Sequence, residues 1–309
     1  DMNFNSDNVH GVDEAILDAL REANAGTARA YGHDDWTAAA EARLRDVFEC
    51  DLAAYLVVTG TGANSLALAA TCPPYGAVIC HREAHINVDE CGAPELYTGG
   101  AKLMGVGGAG AKVTPDAVTT LLGRMGRGEH EQRPSVLSIS QATELGTCYS
   151  IDEIAALATL TRERDLRLHM DGARFANGLV RLGVSPAAMT WQAGVDVLSF
   201  GATKNGALGV EAVVFFDRAL ARDFLYLRKR TGQLVSKSRF LAAQMLAYLD
   251  QDRWLANARH ANAMADRLAG AWRTLPGVRL PLPLEANAVF AIVPQALHAH
   301  LQAHGVRYL

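Results

Sequence analysis

Three side chains near the middle of the chain could do chemistry together: Asp171, Arg174 and Lys204. Asp171-Gly-Ala-Arg174 follows the apolar run Leu166–Met170, and Ser199-Phe-Gly-Ala-Thr-Lys204-Asn-Gly206 closes the run Val195–Phe200. Short apolar runs that end in small, polar turns read as buried parallel strands. Ligands bind at the carboxyl ends of such strands, so the three residues are expected in one crevice although 33 positions separate Asp171 from Lys204. A lysine there can condense with an aldehyde cofactor such as pyridoxal 5′-phosphate. An aspartate against the ring nitrogen keeps that ring protonated, and an arginine grips a carboxylate with two parallel hydrogen bonds. A strand-end ion pair and a solvated lysine would explain any one of these residues alone. The three together, each behind an apolar run, argue for a site.

The elements that must position them are legible upstream. Tyr55–Val58 reads as a strand running into Thr59-Gly60-Thr61-Gly62-Ala63-Asn64 and a helix from Ser65 to Thr71. Backbone N–H groups at such a glycine-containing turn can cradle a phosphate. Dinucleotide binding is disfavoured, because the third glycine of G-x-G-x-x-G is absent and no acid ends the next strand, Ala77–Cys80. Gly105-Val-Gly-Gly-Ala-Gly-Ala-Lys112 lacks the P-loop form, since Val113 follows the lysine. Further strands are expected at 102–106, 135–139 and 211–216, making seven in all. The connection from Thr203 to Val210 is too short for a parallel crossover, so 211–216 should run antiparallel to its neighbour. Amphipathic helices are expected at 12–24, 36–48, 242–249 and 254–275, with helix starts at Thr114-Pro115 and at the capping box Ser150-Ile-Asp-Glu153. The tail reads as a strand at 288–293, a helix at 295–304 and a further strand beginning at Val306, so the natural chain is expected to continue past Leu309.

Composition bounds the partners. A chain of 309 residues, half of them hydrophobic, can bury a large core. A net charge of −4 with near-even acids and bases argues against nucleic acid or an anionic membrane as partner. No apolar stretch approaches the ~20 residues of a membrane helix, and no signal peptide is visible. Cys50, Cys72, Cys80, Cys91 and Cys148 are scattered without a C-x-x-C pair, which argues against zinc and disulfide scaffolds and for a reducing cytoplasm. His81 and His85 are four apart, but no third metal ligand accompanies them, so no metal is expected.

Asp171-Gly-Ala-Arg174 followed by Ser-Phe-Gly-Ala-Thr-Lys204-Asn-Gly resembles the low-specificity threonine aldolases, of the beta-eliminating lyase group. The resemblance runs from Phe4 to about Ala261. It implies an α/β fold of the aspartate-aminotransferase-like type (fold type I): a seven-stranded, mainly parallel sheet with one antiparallel strand, plus a small C-terminal α+β domain. The implied division is an N-terminal segment at 1–30 packing with the small domain, a large cofactor-binding domain at 31–235 and the small domain at 236–309. The implied activity is pyridoxal-phosphate-dependent retro-aldol cleavage of L-threonine, L-allo-threonine and related β-hydroxy amino acids to glycine and an aldehyde. Another pyridoxal-phosphate lyase or an aminotransferase is the alternative reaction. A phosphate- or nucleotide-binding protein without chemistry would leave Asp171 and Lys204 idle.

The resemblance also implies roles. Lys204 bears the cofactor, Asp171 meets its ring nitrogen, and Gly60, Thr61 and Gly62 hold its phosphate. His85 stacks on its ring and is the first candidate for the base at the β-hydroxyl. Ser6 and Arg174 anchor the substrate carboxylate, and Tyr31 lies at the mouth of the site. Lys229 and Lys237 match basic residues that reach the phosphate of a neighbouring subunit, which implies a homodimer or homotetramer with shared sites. The family often carries a histidine where this chain has Thr143, and its second carboxylate-binding arginine has no match before Leu309.

Overall fold

Seven short strands form one sheet, and burial on both faces of its inner strands explains their lack of alternation. The computed structural model describes residues 2–309. Helices α1 (Glu14–Ala23) and α2 (Asp35–Phe48) precede strand β1 (Ala53–Val57). There follow α3 (Gly60–Thr71), β2 (Gly76–His81), α4 (His85–Val88), α5 (Ala93–Thr98), β3 (Lys102–Val106), α6 (Pro115–Leu122) and β4 (Arg133–Ser140). Then come α7 (Ile151–Glu163), β5 (Arg167–Gly172), α8 (Phe175–Leu182), α9 (Pro186–Met189), β6 (Val197–Gly201) and β7 (Glu211–Phe215). Helices α10 (Phe224–Arg230), α11 (Arg239–Leu249), α12 (Arg253–Trp272) and α13 (Gln295–Ala303) complete the described chain.

The strand order is β1-β7-β6-β5-β4-β2-β3. Strands β2 to β6 are parallel, and β7 runs antiparallel to both β6 and β1, as the short connection after Lys204 requires. Register places Ser140 beside Asp171 and Asp171 beside Ser199, so the carboxyl ends of β4, β5 and β6 finish level with one another. Every residue of β2, β6 and β7 is buried. On one face α3 packs Ala63, Leu66 and Ala67 against Val197, Val213 and Phe215. On the other, Phe48, Phe175, Tyr248 and Trp254 surround Phe200, with ring centroids 5.6–6.1 Å away in edge or tilted contacts. Helix α11 and the start of α12 thus pack into the principal core beside β6.

Three local expectations fail. The residues 288–293 form no strand: Ile292 makes a single bridge to Arg279. Phe290 and Ile292 are largely exposed, and Pro281, Pro283 and Pro294 withhold the N–H groups that a ladder needs. The stretch from Val306 likewise contributes one parallel bridge, between Arg307 and Asn3, instead of a strand. Helix α3 starts at Gly60, five residues earlier than expected, because Thr59 caps it through its side chain and lets the glycines form the first turn. The capping box at Ser150 and Glu153 forms as read.

Phe200 joins β6 to α2, α8, α11 and α12 through the ring contacts above. Phe200→Ala is expected to cost about 4 kcal/mol of stability, read as a lowered urea midpoint with an unchanged slope.

Candidate active site

Asp171 is the last residue but one of β5, with 6% of its surface exposed, so its carboxylate needs donors. Asn64 Nδ2 donates to Oδ2 at 2.8 Å, and the Ala173 N–H donates to Oδ1 at 2.9 Å. Two residues deeper on the same face, fully buried His169 sits between Ser138 (2.8 Å) and Ser199 (3.0 Å). Burial pushes its imidazole down to about 4 despite Asp171, so it is neutral beneath the carboxylate. Gly201 ends β6 where a Cβ would stand 2.7 Å from Ala173, so only glycine lets the two strand-end turns touch.

Lys204 occupies a 3-10 turn, Thr203–Asn205, which directly follows Gly201-Ala202. The turn is tied down from the aromatic side: Asn205 Nδ2 donates to Tyr248 Oη at 2.9 Å and to the Trp254 carbonyl at 2.8 Å. Burial, and then the Arg174 guanidinium, push the Lys204 amine below the ordinary lysine range, while Asp171, Asp7 and Glu211 pull it back. The fold therefore brings Asp171, Arg174 and Lys204 within one another's field. Arg174 Nε donates to Asp7 Oδ2 at 2.9 Å, and Asn287 Nδ2 holds the other oxygen of Asp7 at 2.7 Å. A cavity lined by Gly60, Ala63, Asp171, Ala173, Ser199 and Glu211 opens between these turns and the start of α3.

His85 joins the same network from the opposite side. Its Nδ1 lies 2.8 Å from Glu90 Oε1, which also accepts from Asn64 Nδ2 at 2.9 Å. Asn64 thus bridges Asp171 to Glu90, and Glu90 acts as acceptor for the imidazole. The hydrogen bond to Glu90 raises the His85 pKa, burial opposing. Burial raises Glu90, with the His85 and Asn64 donors opposing. The His85 backbone N–H donates to Glu144 Oε1 at 2.9 Å, an atom that also accepts from Ser140 Oγ at 2.7 Å. Burial raises the Glu144 carboxyl too. Glu90 Oε2, Glu144 Oε2 and Ser65 Oγ are enclosed without a protein partner.

The remaining candidates divide. Ser6 caps the 3-10 turn Asp7–Val9, its Oγ accepting from Asn8 N at 3.2 Å, and that turn packs against Thr203–Asn205. Ser6 therefore combines a cap with a place beside the lysine turn. In α3, Gly62 N donates to Thr59 Oγ1 at 3.0 Å, so Gly60 and Thr61 are the residues whose N–H groups precede the first capped one. Tyr31, Lys229 and Lys237 are exposed: Lys229 Nζ lies 4.8 Å from the Tyr31 ring centroid, and Tyr31 N donates to Ser236 O at 2.9 Å. From that segment it is Gln233 that touches the start of α3. Its Oε1 accepts from Val58 N at 2.9 Å, and a Cβ on Gly62 would stand 2.6 Å from its carboxamide. Thr143 is buried and bonded to Thr147 and the Gly110 carbonyl.

Asn64, Glu90, Glu144, Glu211 and Gln233 were not singled out by motif. Asn64 lies four residues, one helical turn, after Gly60, and Glu90 lies five after His85. Those spacings become informative only once α3 and α4 are known to converge.

The chain is similar to known proteins along nearly its whole length. The family described as beta-eliminating lyase matches residues 3–296. A low specificity L-threonine aldolase from Pseudomonas aeruginosa is 46% identical over 305 residues, covering 99% of this chain and 88% of that protein. A structure of a Leishmania major threonine aldolase superposes with a TM-score of 0.92 at 28% identity, covering 98% of this chain and 88% of that one. An Escherichia coli protein with methionine aminotransferase function shares the fold at 13% identity with a TM-score of 0.75, covering 99% of this chain and 82% of that one. The sheet alone therefore does not decide the reaction.

Because Glu90 accepts from His85, Glu90→Gln is expected to lower the His85 pKa toward the ordinary imidazole range. An NMR titration of His85 checks this, and an unmoved titration would contradict the assignment of the shift to Glu90.

Proposed function

The chain belongs to the beta-eliminating lyase family, and from that premise we propose that it cleaves L-threonine, L-allo-threonine and related β-hydroxy-α-amino acids to glycine and an aldehyde, with the residues around Lys204 as its active site. Enzymes of this family are lyases that use pyridoxal 5′-phosphate. The residues present fit that cofactor: a partly buried amine beside a buried carboxylate, a helix start lined by Gly60 and Thr61, and enclosed polar atoms on Ser65 and Glu90 that lack partners. In this reading Lys204 carries the cofactor, Asp171 faces its ring nitrogen, and the N–H groups of Gly60 and Thr61 hold its phosphate at the positive end of α3. The observation that supports the reading best is the Lys204 amine, depressed by burial and Arg174 while facing Asp171.

When bound, the cofactor's protonated ring withdraws the electron pair that cleavage leaves on Cα. Asp171, fixed by Asn64 and Ala173, holds the proton on that ring nitrogen. Burial and Arg174 favour the neutral form of Lys204, the form that attacks an aldehyde carbon and can later move a proton to or from Cα. Arg174, its Nε engaged by Asp7, keeps its terminal nitrogens for the substrate carboxylate, and Ser6 supplies a second donor. His85, with Nδ1 turned to Glu90, presents Nε2 to the β-hydroxyl and takes its proton. The Cα–Cβ bond then breaks, the hydroxyl carbon becomes an aldehyde, and a proton delivered to Cα completes glycine.

The exposed cluster of Tyr31, Lys229 and Lys237 supports a second part of the proposal. Lys229 and Lys237 reach the phosphate of a neighbouring subunit and Tyr31 lies at the mouth of the site, in a homodimer or homotetramer whose sites are shared. No helix among the described residues is long and apolar enough to cross a membrane. The free cysteines, several of them buried, support a place in the cytoplasm.

Lys204→Ala is expected to lose the absorption band at ~420 nm and aldehyde release from L-threonine; unchanged activity overturns the assignment. His85→Asn is expected to lower kcat by about 10²–10⁴-fold. Because Glu90 raises His85, and His85 must be neutral to act as base, the acidic limb of kcat/KM should lie above the ordinary imidazole range and move to lower pH in Glu90→Gln.

A further inference from the structure

Glu211 opens β7, seven residues after Lys204, in a strand whose other members, Ala212, Val213, Val214 and Phe215, are apolar and fully buried. Its neighbours across the sheet are Gly201 on β6 and Val57 on β1. An apolar side chain would fill this position at lower cost than a carboxyl, which loses its hydration there. The carboxyl instead lines the cavity that holds Asp171 and Gly60. Glu211 Oε2 accepts from the Ala202 N–H at 2.7 Å, and Thr203 adjoins the same carboxyl. Ala202 and Thr203 are the two residues immediately before Lys204.

We propose that Glu211 is a positioning residue, which fixes the Ala202-Thr203-Lys204 turn and, through its charge, sets how tightly the Lys204 amine holds its proton. The proposal rests on the reading of Lys204 as the reactive amine. The charged and titratable groups facing Glu211 are Lys204, on the turn, Tyr248, on α11, and Asp171, which lines the same cavity from β5. Its sheet neighbours Val57 and Gly201 carry no charge. Lys204 in turn faces Arg174, Asp171 and Asp7 as well as Glu211. Burial raises the Glu211 carboxyl to about 7, against its donors and Lys204. It is therefore ionised above about pH 7, and its negative charge there favours the protonated Lys204 amine.

The test is competitive acetylation of the cofactor-free protein with trace acetic anhydride across a range of pH. Labelling at Lys204 is quantified by mass spectrometry against labelling at exposed Lys102. Glu211→Gln keeps an acceptor for the Ala202 N–H and loses the charge. The midpoint for Lys204 is expected to move to lower pH by about half a unit or more, while that of Lys102 stays in place. A Lys204 midpoint that coincides with wild type overturns the proposal. Should the glutamine variant not fold, Glu211→Met, apolar like its strand neighbours, is expected to give the same displacement, and coincidence overturns it equally. The readout needs no cofactor. An error in assigning the cofactor to Lys204 would leave the displacement intact, and absence of the displacement would leave that assignment intact.

Discussion

A carboxylate kept from water must be met by donors, and Asp171 is the point where that requirement organises the surrounding structure. Its position follows from register: β5 lies between β4 and β6, and the three strands end level. Its donors come from its own turn and from Asn64 on α3. Meeting the second demand draws α3 across the strand ends. The other hydrogen of the Asn64 amide then reaches Glu90, which orients His85. One asparagine thus links a carboxylate on the sheet to an imidazole on a separate helix.

The lysine is held from the opposite direction. Phe200 fills the space among Phe48, Phe175, Tyr248 and Trp254, and the last two also receive the Asn205 amide. Aromatic packing on one face of the sheet is therefore transmitted through one side chain to the turn that presents Lys204. Glu211 closes the same turn from the strand that follows it. The antiparallel direction of β7 makes this possible, because a short reversal returns the chain directly beside the lysine.

The strands were legible because each is a brief apolar run ended by glycine or a charged turn. The direction of β7 followed from loop length alone. Asp171, Arg174 and Lys204 were legible because each stands just past such a run. The start of α3 was missed because glycines 60 and 62 look like a turn, whereas the Thr59 cap and the close approach of Gln233 make them a first helical turn. The tail misled because the apolar run 288–293 has no adjacent strand to pair with. Asn64, Glu90 and Gln233 act through contacts made at 107, 26 and 175 positions' separation. No local pattern encodes such contacts, and only the packed sheet brings them together.

The account stands on Lys204 as the amine that carries the cofactor. Borohydride reduction of the purified protein, followed by proteolysis and mass spectrometry, tests this most directly. The account predicts one pyridoxyl group per chain, on the peptide that contains Lys204. The same group on Lys102, Lys112, Lys229 or Lys237 instead, or on no lysine at all, would contradict it.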